Sequence, residues 1–363
     1  MTGLLPEGFH DRLPPYADAA ARLERRMLDS AFAYGYEQVD PPLAEFEAAL
    51  GARLKAANAR DAVRFVDPVS QRTLAIRPDI TAQVGRIAAT RMAHHPRPLR
   101  LSYAGQVLRL SASQLRPERA MRQIGCELIG LDSVEAAREV VAVAVEALEA
   151  AGLTGLSIDF TLPDLVEALG VVPPERLRTL RDALDGKDAA GVAAIAPAYL
   201  PLIDAAGPFD AALARLRASD HAGPLASRLD GLAAIAASLP ASVTLTLDPT
   251  ERHGFEYQSW LGFSIFAAGV PVEIGRGGTY TVMHDGGAEE PAVGFSLYAD
   301  PVLAAGLAPA GRRRLFMPYG TPADIAAQWR REGWVTVAAL TPDDNASAQL
   351  CTHVLGTDGP ETT

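Results

Sequence analysis

Gln123 and Glu127 stand four residues apart in Met121-Arg122-Gln123-Ile124-Gly125-Cys126-Glu127-Leu128-Ile129, with Gly125 midway between them. Side chains alternate along a strand, so Met121, Gln123, Gly125, Glu127 and Ile129 share one face and Ile124, Cys126 and Leu128 the other. The second set is apolar and can pack on helices. The first offers an amide and a carboxylate, and the glycine between them removes a side chain that would block access. Two readings fit this pattern. One is an ordinary antiparallel sheet with a solvent-wetted face. The other is a pocket floor that presents a carboxylate and an amide to a small polar ligand.

The elements that must hold this strand are legible around it. Residues 100–109 alternate, with Leu101, Tyr103 and Val107 on one side, and predict a partner strand. Residues 111–119 are polar and contain proline, which predicts a loop. Upstream, residues 16–34 have helical period, with Ala19, Leu23, Met27 and Phe32 near one stripe and Gly35 as the stop. Residues 36–39 then read as a strand ended by Pro41-Pro42. Residues 64–76 predict two short strands around Asp67-Pro68. Arg77-Pro78-Asp79-Ile80-Thr81 opens a helix directed towards His94, with proline and aspartate suited to a first turn.

Downstream, residues 133–151 predict an amphipathic helix capped by Asp132 or Ser133 and stopped by Gly152. Leu156, Ile158 and Phe160 alternate in a following strand. Residues 163–240 are rich in Ala and Leu, broken by Pro and Gly, and read as several short helices. Further strands are expected at 243–247 and 262–267. After Gly306 the pattern is strand, helix (with Ile325 and Trp329 one turn apart), strand, and a last strand near 351–355, a small α/β unit. Residues 357–363 are expected to be disordered.

The chain has 363 residues, 48% of them hydrophobic, enough for a sizeable core in one large domain plus a smaller one, or in two to three domains. No apolar run reaches the roughly 18 residues that span a bilayer, and the first residues lack the pattern of a signal peptide. The two cysteines, Cys126 and Cys351, lack metal-ligand spacing and are expected to be free thiols in a reducing cytoplasm. A net charge of -11 with only two lysines, Lys55 and Lys187, gives no general support for a nucleic-acid partner. A local arginine patch stays compatible with that total.

Residues 99–130 resemble motif 2 of the class II aminoacyl-tRNA synthetases, specifically histidyl-tRNA synthetase, whose strands carry Phe-Arg-x-Glu and Gln-x-Gly-x-Glu. Here these are Leu108-Arg109-Leu110-Ser111 and Gln123-Ile124-Gly125-Cys126-Glu127. The helix, strand and proline near the N-terminus are similar to motif 1, which builds the dimer interface in that class. Arg77-Pro78-Asp79-Ile80-Thr81 resembles Arg-Pro-Glu-x-Thr, which serves the ammonium of bound histidine. His253-Gly254-Phe255-Glu256-Tyr257-Gln258 resembles the histidine signature Arg-Gly-Leu-Asp-Tyr-Tyr, and Gly277-Gly278-Thr279-Tyr280 resembles Gly-Gly-Arg-Tyr. Pro291-Ala292-Val293-Gly294-Phe295 matches the start of motif 3 residue for residue.

The departures fall where the synthetase keeps its chemistry. Ser111 replaces the glutamate that contacts adenine, and His253 and Thr279 replace arginines. Tyr298 replaces the motif 3 glycine. Pro301 replaces the arginine that binds the γ-phosphate, and it has neither the charge nor the bidentate fork of a guanidinium. The family that combines this fold with such losses is the ATP phosphoribosyltransferase regulatory subunits.

That resemblance implies an α+β fold, a mainly antiparallel class II synthetase-like sheet flanked by helices. It places the synthetase-like domain at 1–306 with a helical insertion at about 163–240, and the small α/β unit at 311–356. It implies a cytoplasmic, non-catalytic subunit that forms a homodimer within a hetero-oligomer and associates with the short catalytic subunit of ATP phosphoribosyltransferase. That enzyme performs the first step of histidine biosynthesis under feedback by histidine; tRNA, a membrane, a metal and a cofactor are not implied. It also implies a residual histidine pocket of Asp79, Thr81, Arg109, Gln123, Glu127, Tyr257 and Gln258. The other readings are a divergent active synthetase and a stand-alone histidine sensor.

Overall fold

The computed structural model describes residues 4–51, 62–110, 118–170, 172–220, 223–251, 258–307 and 311–363. Two compact units divide the chain, Met1–Ala308 and Pro309–Thr363. In the first, nine strands among the described residues form one sheet: β1 (Glu37–Gln38), β2 (Leu99–Leu108), β3 (Ala120–Ile129), β4 (Leu156–Thr161), β5 (Gly207–Pro208), β6 (Thr244–Leu247), β7 (Gln258–Ala267), β8 (Gly275–Met283) and β9 (Glu289–Tyr298). Their spatial order is β1-β2-β3-β9-β8-β7-β4-β6-β5. The run from β2 to β4 is antiparallel throughout, while β1 on β2 and β4 on β6 are parallel.

Helices cover both faces of the centre of this sheet. On one side, α1 (Tyr16–Ala33) and the long helix Val134–Ala150 pack on Ile124, Cys126 and Leu128, the apolar face of β3. Ser133 caps the latter helix by accepting from the Ala136 N–H at 3.1 Å. The buried side of α1 is Ala19, Ala20, Leu23, Met27, Leu28 and Ala31. Phe32, near the end of the helix, is 70% exposed and does not join the core.

On the other side, the helix Thr81–Ala89 lies over the second face of β3. Ile80, Val84 and Ala88, one turn apart, pack with Tyr103, Met121, Ile129, Tyr280 and Val282 into a separate core. The face bearing Gln123 and Glu127 is therefore dry and not solvent-wetted, because a helix and its apolar stripe cover it. The helix stops at Ala89, short of the expected His94. Arg97 takes over the carbonyls there, donating to Ala88, Met92 and His95 while pairing with Glu290. Those bonds replace the helical ones that continued winding would have made.

Residues 165–237 contain short helices, from Leu165–Leu169 to Ala226–Ala237. The second unit is a four-stranded sheet with the helix Ala323–Arg331. Arg314–Met317 pairs in parallel with Val335–Ala338 and with His353–Leu355. Residues 357–363 are not disordered as expected: Pro360–Thr362 pairs antiparallel with His353–Leu355, closed by a Gly356 N–H to Gly359 bond. The polar, short-side-chain tail gave no apolar alternation from which this edge strand could be read. Both cysteines are buried free thiols. No helix among the described residues is long and apolar enough to cross a membrane.

Candidate functional site

Register brings the polar side chains of the covered face together. Gly125 of β3 stands opposite Tyr103 of β2 on one side and Ser296 of β9 on the other. Glu127 stands opposite Gly294. These two glycines are close-approach positions. A methyl group on Gly125 would strike the Tyr103 hydroxyl and the Phe295 carbonyl, and one on Gly294 would strike the Glu127 carboxylate and the Cys126 carbonyl. Gly125 thus admits the phenol of Tyr103, which lies across the floor between Gln123 and Glu127.

Every polar group of this floor has a partner from the chain itself. The Tyr103 hydroxyl donates to Glu127 Oε1 at 3.0 Å, and Tyr280 donates to Glu127 Oε2 at 2.8 Å. Gln123 Nε2 donates to Asp79 Oδ2 at 2.9 Å and to Ser296 Oγ at 2.7 Å, while Gln123 Oε1 accepts from the Ile80 N–H at 3.0 Å. The Tyr103 hydroxyl also meets Thr81 Oγ1 and Ser296 Oγ, each at 3.1 Å. Asp79 Oδ1 accepts from the Thr81 N–H at 2.8 Å, which orients the turn entering the covering helix. Gln123, Glu127, Asp79, Thr81, Ser296, Tyr103 and Tyr280 are all buried.

Burial is the leading influence on Glu127 and pushes its carboxyl up from 4.5 to about 8; the nearby Asp79 adds to this, and the hydrogen bonds from Tyr280, Thr81 and Tyr103 oppose it. Burial thus favours the neutral carboxyl, while the hydroxyl donors around it favour the carboxylate. Burial likewise raises the Tyr103 phenol well above its ordinary range. Such a site can receive an N–H donor and a positive charge. Among the described residues it offers no cluster of His, Cys, Asp and Glu fit to hold a metal.

Four residues of the expected pocket, Asp79, Thr81, Gln123 and Glu127, thus form one network. Arg109 continues past β2, its N–H bonded to the Arg119 carbonyl, and its guanidinium reaches Tyr298 instead: Nη2 is 3.5 Å from the phenol oxygen and the group lies 5.9 Å from the ring centre. Gln258 opens β7, its backbone opposite Tyr280. Tyr257, His253 and Ser111 lie outside the described residues. Three members of the network, Tyr103, Tyr280 and Ser296, were not singled out as site residues from the sequence. The available signal was register: each faces a glycine or an adjoining strand position on the same sheet face as Glu127.

The departing residues are absorbed into structure. Thr279 Oγ1 accepts from Ser259 Oγ at 2.8 Å and from the Leu261 N–H at 3.0 Å, tying β8 to β7. Tyr298 is buried at the end of β9, opposite Gln123, in the same core as Met121. Pro301 follows in the first turns of the helix Ala299–Ala304. Beside it, Asp300 pairs with Arg12 and accepts from the Arg122 N–H at 2.8 Å.

The family profile described as histidyl-tRNA synthetase matches residues 8–302. The chain is 48% identical to an ATP phosphoribosyltransferase regulatory subunit of Rhodospirillum centenum, with 97% of this chain and 94% of that protein covered. It is 46% identical to the regulatory subunit of Paramagnetospirillum magneticum, over 98% of this chain and 97% of that one. Among solved structures, an ATP phosphoribosyltransferase regulatory subunit/histidyl-tRNA synthetase from Bacillus halodurans C aligns with a TM-score of 0.80 at 23% identity, covering 96% of each chain. Histidyl-tRNA synthetase from Nostoc sp. PCC 7120 aligns with a TM-score of 0.79 at 16% identity, over 99% of this chain and 92% of that one, a likeness of fold. Together with a synthetase-type sheet whose motif 3 ends in Tyr298 and Pro301, these matches place the chain in the ATP phosphoribosyltransferase regulatory subunit family, built on the class II synthetase fold.

Proposed function

We propose that this chain is a non-catalytic regulatory subunit that assembles with the short catalytic subunit of ATP phosphoribosyltransferase and carries histidine feedback to it. The observation that carries the reading is the end of motif 3. Where a synthetase needs an arginine for the triphosphate, this chain has Pro301, and where it needs open space it has the buried ring of Tyr298. Removing one group that stabilises transition-state charge commonly costs about 10²-fold or more, and here several such positions differ together. The kinship with regulatory subunits at 46–48% identity supports the same conclusion.

Histidine is the proposed effector, and the site is the network already described. Glu127 would accept from an imidazole N–H; Gln123, Asp79 and Thr81 would meet the ammonium; Arg109, released from Tyr298, would meet the carboxylate, and Tyr257 would close one wall. Because Tyr103 and Tyr280 already satisfy both Glu127 oxygens, entry of the ligand requires one tyrosine to give way. That exchange couples binding to a rearrangement of β2 or β8, and differential binding to two states is the physical basis of allosteric control.

The test is co-expression with the short catalytic subunit from the same cell. A hetero-oligomer on size exclusion is expected, with phosphoribosyl-ATP synthesis from ATP and phosphoribosyl pyrophosphate dependent on both chains and lowered by histidine. Histidine-dependent ATP–pyrophosphate exchange by this chain alone should stay at background. Robust exchange would restore the synthetase reading. A catalytic subunit that neither co-elutes nor changes its rate would leave a stand-alone sensor.

A further inference from the structure

At the outer end of the site face a cavity of about 280 Å³ opens beside Tyr298. Its walls are Met121 of β3, Pro271 and Val272 before β8, and Pro301 with Ala304 on the helix that follows β9; the buried Tyr298 also lines it. Three carboxylates border these apolar walls, and no lysine, arginine or histidine does among the described residues. Two of the carboxylates are already neutralised. Asp300 is held by Arg12 and the Arg122 N–H, and Glu273 is held by Arg276 through two bonds, Nε to Oε1 at 2.5 Å and Nη2 to Oε2 at 2.6 Å. The third, Glu118, has no hydrogen-bond or ion-pair partner among the described residues.

We infer that this cavity is a binding site for a compact organic cation, a protonated amine carried on an apolar ring. The volume suits a group of about one bicyclic ring, near the lower end of small-molecule pockets. The apolar walls would desolvate the ring, and Glu118 would accept a charge-assisted hydrogen bond from the ammonium. Among the described residues that line it, a phosphate or carboxylate would meet carboxylates and apolar carbon and no cationic side chain, so this lining disfavours nucleoside triphosphates and organic anions. This inference stands independently of the regulatory-subunit reading, since it rests on the lining alone.

The experiment is calorimetric titration of the full chain with tryptamine, beside indole-3-acetate and ATP. Tryptamine should bind at one site, and the two anionic probes should give no heat of binding. Glu118→Gln should weaken tryptamine at least about tenfold, the loss of one charge-assisted hydrogen bond. Ala304→Phe, which fills the cavity from the helix, should abolish it. A melting curve matching that of the unmodified chain checks the fold of each variant. Failure of tryptamine to bind, binding of indole-3-acetate or ATP as tight as that of tryptamine, or unchanged affinity in Glu118→Gln with the fold intact would each overturn the inference.

Discussion

The two ends of one sheet face differ in how they treat polar groups. At the inner end, Gln123, Glu127, Asp79, Thr81, Tyr103, Ser296 and Tyr280 satisfy one another within a dry core. At the outer end, Met121, Tyr298 and Pro301 line a cavity whose edge carries Glu118, a carboxylate with no partner among the described residues. The residues that remain synthetase-like cluster at the inner end, and two of the departures, Tyr298 and Pro301, line the outer one. A buried polar network constrains its members strongly, because losing one partner leaves another unsatisfied. A cavity wall constrains only volume, so substitution there is cheap. That contrast gives a physical reason why the inner end holds its side chains fixed while the outer end tolerates change.

The sharpest way to break the contrast is to crowd the inner end. Gly294→Ala would drive a methyl into the Glu127 carboxylate and the Cys126 carbonyl. The carbonyl belongs to a strand paired on both sides and cannot retreat without disrupting the sheet. The expected cost is about 3 kcal/mol or more, at the upper end of overpacking effects, read as a fall in the denaturation midpoint. A variant as stable as the parent would show that the inner end is looser than its hydrogen bonds imply.

Next in size is the response of Glu127 to pH. Its carboxyl titrates near 8 in the folded chain and near 4.5 when unfolded. The folded state therefore keeps a proton that the unfolded state releases, and stability falls as pH rises from about 4.5 to about 8. Glu127→Gln removes that loss. The variant should gain on the parent across this window, by on the order of a few kcal/mol at pH 8.5, with little difference at pH 5. Denaturant titrations of both proteins at the two pH values test this, and a gap that narrows as pH rises would contradict it. In the same variant, histidine binding should weaken, since an amide cannot ionise to meet the imidazole.

Much of this arrangement was legible in the sequence because it is local. Period-2 alternation located β2 and β3 to within a residue or two, and the helical stripe located α1, although Phe32 was placed on the buried side wrongly. Asp132 or Ser133 before an apolar-periodic run was read as a cap, and Ser133 is the one that caps. The dryness of the site was not legible. It depends on Ile80, Val84 and Ala88 packing over β3, and on Tyr280 and Ser296 arriving from strands more than 150 residues later in the chain. Register, which no single segment encodes, makes those meetings. The stop at Ala89 was also hidden, because Arg97, beyond the turn, binds the carbonyls of Ala88, Met92 and His95.

The smallest expected effect comes from returning the family's arginine to the outer end. In Pro301→Arg the backbone changes little. The residue sits in the first turn of Ala299–Ala304, where N–H groups lack helical partners in any case, and its carbonyl still accepts from the Ala305 N–H at 3.0 Å. The stability change should stay within about 0.5 kcal/mol. The new guanidinium would not meet a phosphate. It would enter a cavity bordered by Glu118, Glu273 and Asp300, and Glu118 is the carboxylate available to hold it. ATP–pyrophosphate exchange should therefore remain at background in the variant, and tryptamine binding should fall because an internal cation already occupies the site. Exchange that rose well above background on this one substitution would mean that the outer end still carries a working nucleotide site, and that a single arginine separates the two ends of this face.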